Sequence, residues 1–262
     1  MLKKLIHISL IAVMLLGSTQ LVQGQVILSI LFGDKLNSEK LEFGMNAGFN
    51  LTTIRGISEA KGQNNWELGF YFDILLKEKS PWHIATGVYV KSNVGATNIP
   101  LDYTGNPVIN DTVYNGFVTA NGSVEKQFNT FYVPINLRYL SKWGIFMEGG
   151  AQVGLVFKTH DIYQAEVNDN PLKYEVTQRM YNNELYKWID AGVNGGIGYK
   201  FKKGPGMKVG VWYYAGLTNI YKKDVGVKAY NSSLYILATI PIGKKKAEKH
   251  RAEEAAAAKS KQ

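Results

Sequence analysis

A side-chain period of two dominates this chain. From position 41, the residues Leu41, Phe43, Met45, Ala47, Phe49 and Leu51 alternate with Glu42, Gly44, Asn46, Gly48 and Asn50. Successive strand side chains point to opposite faces, so this run has one apolar face and one polar, small-residue face. The pattern returns at 66–74, 82–91, 131–139, 143–155, 189–201, 207–217 and 234–242. Each run is about long enough to span a bilayer, which takes about 9–11 tilted residues. The connections alternate as well. Those at 77–81, 141–142 and 202–206 are short, and those near 55–65, 93–128, 159–183 and 219–232 are long. Short turns on one rim and long loops on the other predict an all-β fold. The expected architecture is an eight-stranded antiparallel up-and-down transmembrane β-barrel over residues 41–242, with short periplasmic turns and long extracellular loops. An even strand count places both chain ends at the periplasmic rim.

Alternation alone does not say which face looks outward. Glycine decides it. Gly44, Gly48, Gly69, Gly87, Gly150, Gly154, Gly192, Gly196, Gly198 and Gly210 all fall on the polar face. On a solvated outer face they would weaken strands for no gain. Inside a narrow barrel they leave room for larger neighbours. The apolar face is therefore expected to meet lipid. Trp82, Tyr139, Trp143, Tyr199 and Phe201 lie on it near the short turns, where a membrane-interface girdle belongs.

The inward face then carries Glu42, Glu67, Asp73, Glu148 and Asp190 against Lys91, Arg138, Lys200 and Lys208. Buried charges must pair, because each unpaired one costs several kcal/mol. A cross-lumen network is expected, centred on Arg138, Glu148 and Asp190. It reads either as a plug or as the lining of an ion path, and so small a barrel favours the plug.

The two ends differ from the middle. Lys3 and Lys4 precede an apolar run from Leu5 to Leu16, and Val22-Gln23-Gly24 offers small residues for cleavage. Residues 1–24 thus read as a secretory signal peptide, too short in its apolar run for a spanning helix. Residues 25–40 form an N-terminal periplasmic segment, either a short helix or a loosely ordered leader. Residues 243–262 form a basic, Ala-rich periplasmic tail with helix-forming residues and no apolar stripe. Of the formal charge of +9, the signal supplies +2 and the tail +4, so the barrel region is only mildly basic and nucleic acid is not an expected partner. With 0 cysteines, disulfides, thiolate metal sites and cysteine nucleophiles are excluded.

Three stretches carry a resemblance: Phe43-Gly44-Met45-Asn46-Ala47-Gly48-Phe49-Asn50, then Phe131-Tyr132-Val133-Pro134-Ile135-Asn136-Leu137-Arg138-Tyr139, then Asp190-Ala191-Gly192 leading into Gly195-Gly196-Ile197-Gly198. With these, residues 41–242 resemble the PorT-like outer-membrane β-barrel proteins of Gram-negative bacteria. The resemblance implies an eight-stranded barrel without one shared activity. The chain departs from many outer-membrane barrels in ending its last strand at Ile242-Gly243, with a tail beyond.

No catalytic, cofactor-binding or metal-binding residue is assigned: HExxH, Gly-x-Ser-x-Gly and Walker patterns are missing from the sequence. The leading expectation is a non-enzymatic protein of the cell outer membrane. It would act structurally or by interaction, with outer-membrane lipid around it and other envelope proteins or the cell wall as partners for its loops and tail. The alternatives are a channel or transporter for ions or small amphipathic solutes, and a barrel-rim hydrolase built on His160 and Asp161.

Overall fold

A computed structural model describes residues 36–100, 122–169, 172–222 and 226–259. The expected signal peptide, most of the 25–40 segment and much of the third connection lie outside these residues. The strands are β1 (Leu41–Arg55), β2 (Gln63–Leu75), β3 (Trp82–Pro100), β4 (Ser123–Leu140), β5 (Ile145–Asp169), β6 (Leu172–Tyr181), β7 (Ile189–Lys200), β8 (Lys208–Gly216) and β9 (Tyr230–Pro241). One helix follows, α1 (Lys244–Lys259). All strand pairings are antiparallel, and β1–β2–β3–β4–β5–β7–β8–β9 closes on itself through β1–β9. This is the eight-stranded ring the alternation predicts. β6 stands outside it and pairs with the upper part of β5, from His160↔Tyr181 to Asp169↔Leu172.

The long connections need correction. The sequence reading makes 93–128 and 159–183 loops, yet β3 runs on to Pro100, β4 starts at Ser123, and β5 and β6 form a hairpin across the second segment. Their side-chain chemistry is the reason they escaped notice, and β4 shows it best. Its inward side chains are the even-numbered ones from Val124 to Arg138 without interruption. From Phe131 to Tyr139 the outward residues are apolar. N-terminal to Phe131 they become Glu125, Gln127 and Asn129, while Val124 and Phe128 turn inward with Lys126. One strand thus passes from a lipid-like outer surface into a water-like one.

Two bulges adjust the phase at the same level. The β2–β3 register slips between Leu68 and Gly69, whose partners are Lys91 and Tyr89. The β4–β5 register slips between Asn129 and Thr130, whose partners are Lys158 and Val156. A bulge inserts an unpaired residue and reverses which parity faces in. Past it, Ser92, Val94 and Ala96 point inward on β3, and Asp161 and Tyr163 on β5. Lys91 is turned out to the exposed surface, which corrects its expected place in the lumen.

Above the bulges lies a hydrophobic core, formed by Ile54, Val94, Ile99, Val124, Phe128 and Tyr221 among others. Below them the large apolar side chains are outside: Ile135, Met147, Ile197 and Ile236 are each more than half exposed. On β4 this belt covers nine residues, about 30 Å of strand at roughly 3.4 Å per residue, suited to a tilted bilayer crossing.

The tail, read from sequence as helix-forming without an apolar stripe, is a helix tied to the short-turn rim. Ala247 is buried, the Lys244 Nζ lies 2.6 Å from Glu42, and an Arg251 Nη1 reaches the Asn37 carbonyl at 3.4 Å. Gly243, at φ +76°, makes the bend from β9 into the helix.

Candidate functional site

The interior of the belt is built from aromatics set against glycines. Tyr132 faces Gly154, Trp212 faces Gly196, Phe146 faces Gly198 and Tyr71 faces Gly44, each as direct cross-strand partners. A Cβ on Gly196 would stand 2.2 Å from Trp212, and one on Gly154 would stand 2.3 Å from Tyr132. Only glycine leaves the volume into which each ring lies flat. This is the role the sequence reading gives the inward glycines. Tyr89, Tyr132, Tyr214 and Tyr235 are all buried across the upper lumen.

Polar groups occupy the lower lumen. The Arg138 guanidinium spans two carboxylates, with Nη1 2.7 Å from Asp73 and Nε bonded to Glu148. Lys208 donates to Asp73 and to Glu42, both at 2.8 Å. Lys200 reaches Glu42 at 3.1 Å. Neutral donors complete the shell: Trp212 Nε1 to Glu148 at 2.6 Å, Asn136 to Glu148 at 2.9 Å and the Tyr71 hydroxyl to Glu42 at 3.1 Å. His83 Nδ1 lies 3.3 Å from Asp73. Three carboxylates are therefore met by Arg138, Lys200, Lys208 and, from the helix, Lys244. Charges drawn from opposite sides of the ring hold one another out of water, and each keeps several partners.

The expected centre of this network is half right. Arg138 and Glu148 are at it, but Asp190 is not. It accepts from Tyr132 at 2.6 Å and from Asn231 at 2.9 Å, in a separate polar patch. Glu67 has no ion pair among the described residues and accepts from Asn50 at 3.4 Å. The sequence reading missed Trp212 and Lys244. Trp212 lies on the inward parity of β8, between Gly210 and Tyr214. Lys244 was hidden because the tail has no apolar stripe to signal docking.

A second buried group sits in the upper core. Lys126 and Asp161 are cross-strand partners, both fully buried, with the ammonium 3.5 Å from the carboxylate. The Tyr186 hydroxyl bridges them and donates to Asp161 at 2.8 Å, and Asn182 donates to Asp161 at 2.6 Å. Burial first, and then the Asp161 carboxylate, push the Tyr186 hydroxyl well above the ordinary tyrosine range, so it stays a proton donor. Nothing in the sequence reading placed Lys126. The signal was the run Val124, Lys126, Phe128, whose apolar face is of opposite phase to the belt.

His160 and Asp161 do not converge. As neighbours on β5 they face opposite ways: Asp161 is committed to Lys126, and the His160 ring packs against Tyr181 at 5.0 Å. Among the described residues no cluster of three His, Cys, Asp or Glu is placed to hold a metal ion.

On the outer face, Trp82, Tyr139, Trp143, Tyr199 and Phe201 are all exposed beside the short turns. Trp82 packs edge-on to Tyr139 at 5.2 Å, and Tyr199 does the same with Phe201 at 5.3 Å. A second ring of Trp66, Tyr181 and Trp188 is exposed toward the other end.

Residues 32–222 match the family described as Outer membrane protein beta-barrel domain. Among solved structures, Ail, the attachment invasion locus protein of Yersinia pestis, aligns at 9% identity over 78% of this chain and 100% of its own, with a TM-score of 0.37. Neisserial surface protein A aligns at 11% identity over 78% of this chain and 99% of its own, with a TM-score of 0.34. A deletion mutant of the monoaromatic hydrocarbon channel TodX aligns at 9% identity over 79% of this chain and 68% of its own, with a TM-score of 0.27. No curated protein sequence matches the chain.

Proposed function

Since this chain belongs to the outer membrane protein β-barrel domain family, and is accordingly a protein of the outer membrane, we propose that it is a closed, non-enzymatic barrel. It acts as a structural or interaction protein, through the sheet it raises outside the membrane and the helix it carries at the periplasmic rim. The observation that supports this reading is how little space is left between the inward side chains. The cavity between Tyr71, Tyr89, Arg138, Glu148 and Trp212 measures about 20 Å³, room for about one water. Passage of a hydrated ion would require the Arg138 bridge and several rings to move together.

Planar-bilayer recording tests the closed lumen. No steady single-channel current is expected from the purified protein, and steady unitary currents would contradict it. A photo-cross-linker at Thr177, exposed on β6, tests the interaction role in intact cells. A discrete adduct is expected there, and its absence alongside an adduct-free periplasmic helix would remove that role.

Three finer points belong to the same proposal. Residues 1–24 act as a signal peptide removed on export, supported by the basic start and the short apolar run. Within the family, the three glycine-rich and aromatic stretches support a PorT-like relationship. Lipid surrounds the belt, and other envelope proteins or the cell wall are the partners proposed for the outer sheet and the tail.

A further inference from the structure

The periplasmic rim holds a cleft that neither the lumen nor the outer sheet explains. It lies between the β4–β5 turn, the β7–β8 turn and the first turns of α1, and measures about 430 Å³. Lys142, Lys200, Lys202 and Lys244 line it, with Glu248 as its one acidic side chain. Lys200 and Lys244 share the Glu42 carboxylate below. Among the described residues neither Lys142 nor Lys202 forms an ion pair, so the cleft keeps an excess of positive charge after that pairing. Lys142 stands over the Trp143 ring, 5.3 Å from its centroid.

Its level in the membrane is set by its neighbours. Trp143 and Phe201 belong to the exposed aromatic ring beside the short turns, and Phe201 and Leu140 themselves line the cleft. Such rings mark the boundary between acyl chains and headgroups. The cleft is thus basic where headgroup phosphates lie and apolar where a glycerol backbone would enter. Lysine ammonium groups bind phosphate as point charges.

We propose that this cleft binds the headgroup of an anionic phospholipid of the periplasmic leaflet, with Lys142 and Lys202 as its phosphate contacts and Lys244 closing it from the helix. A zwitterionic headgroup fits less well, because its own ammonium would enter beside four lysines. Bound lipid would add a further tie between α1 and the rim, beside the Lys244–Glu42 pair.

Native mass spectrometry of the full-length protein in mixed micelles tests this, with equal amounts of phosphatidylglycerol and phosphatidylethanolamine. Retention of phosphatidylglycerol over phosphatidylethanolamine is expected. In the doubly substituted K142S/K202S protein that preference should fall roughly 30-fold, at about fivefold for each lysine near an anionic surface. Both residues sit on exposed turns, and unchanged heat-modifiable gel migration would show that the variant still folds. Equal retention of the two lipids, or a preference unchanged in K142S/K202S, would overturn the proposal. A parallel titration with glycerol 3-phosphate and inorganic phosphate separates the sources. Displacement of the lipid by either at equal concentration would assign the cleft to a soluble phosphate instead.

Discussion

The lower and upper halves of this barrel solve burial in opposite ways. In the belt, charge and aromatic rings fill the axis while Ile135, Met147 and Ile197 face outward. In the upper sheet, Val94, Val124 and Phe128 fill the inside while Glu125, Gln127 and Asn129 face outward. Neither β3 nor β4 is interrupted where the change occurs. What changes is the solvent. Lipid is as apolar as leucine, so burying apolar side chains from lipid gains little, and polar groups are the ones that need shelter. Water reverses the preference. The buried charges of the two halves differ as well. Arg138 sits within a network of several carboxylates and cations, whereas Lys126 and Asp161 pair within an apolar core, bridged by the Tyr186 hydroxyl.

The largest effect should come from the lower network. Arg138→Met leaves Asp73 and Glu148 facing each other without their shared cation, and removing one partner of a buried pair costs about 3–5 kcal/mol. Urea unfolding in liposomes, followed by loss of heat-modifiable migration, should show the whole barrel weakened. Phe128→Ala carries a similar local cost, about 3–5 kcal/mol for a buried phenylalanine, but in the other half. Limited proteolysis should then cut the upper β3–β6 sheet readily while the belt keeps its heat-modifiable fold. Coupled loss of both halves would mean that they are one cooperative unit.

Outward positions sharpen the contrast. Ile135→Arg places a charge on the lipid face and should cost about 2–4 kcal/mol. Gln127→Arg, eight residues up the same face of β4, should change stability by no more than about 0.5 kcal/mol. Equal costs at the two sites would remove the boundary between them. A smaller cost than that of Ile135→Arg tests packing alone: Gly154→Ala drives a methyl into Tyr132 and should cost about 1–3 kcal/mol through overpacking.

How much of this was legible in the sequence follows from the same contrast. The belt strands were readable because a strict period of two, with glycines on one phase, has few other solutions. The continuation of β3, β4 and β5 was not, since past the bulges the apolar residues change face and thin out among polar ones. Lys91 was misplaced for that reason: alternation carries it inward, and one inserted residue turns it out. Of the lumen network, Arg138, Glu148, Asp73, Glu42, Lys200 and Lys208 follow from parity alone. Who pairs with whom depends on strand stagger, which parity does not contain, and so Asp190 was joined to a centre from which it stands apart. Lys244 required knowing that a helix without an apolar stripe can still be held at the rim, here by an ion pair, a buried Ala247 and a hydrogen bond from Arg251.

The central claim is that one face of β4 leaves lipid and enters water between Phe131 and Asn129. With 0 cysteines in the chain, single cysteines can be placed at Ile135 and at Gln127 and labelled with an environment-sensitive fluorophore in liposomes. The label at position 135 should be quenched by doxyl-labelled lipid and shielded from iodide, and the label at position 127 should show the reverse. Quenching of both by iodide, or of both by lipid, would contradict the account.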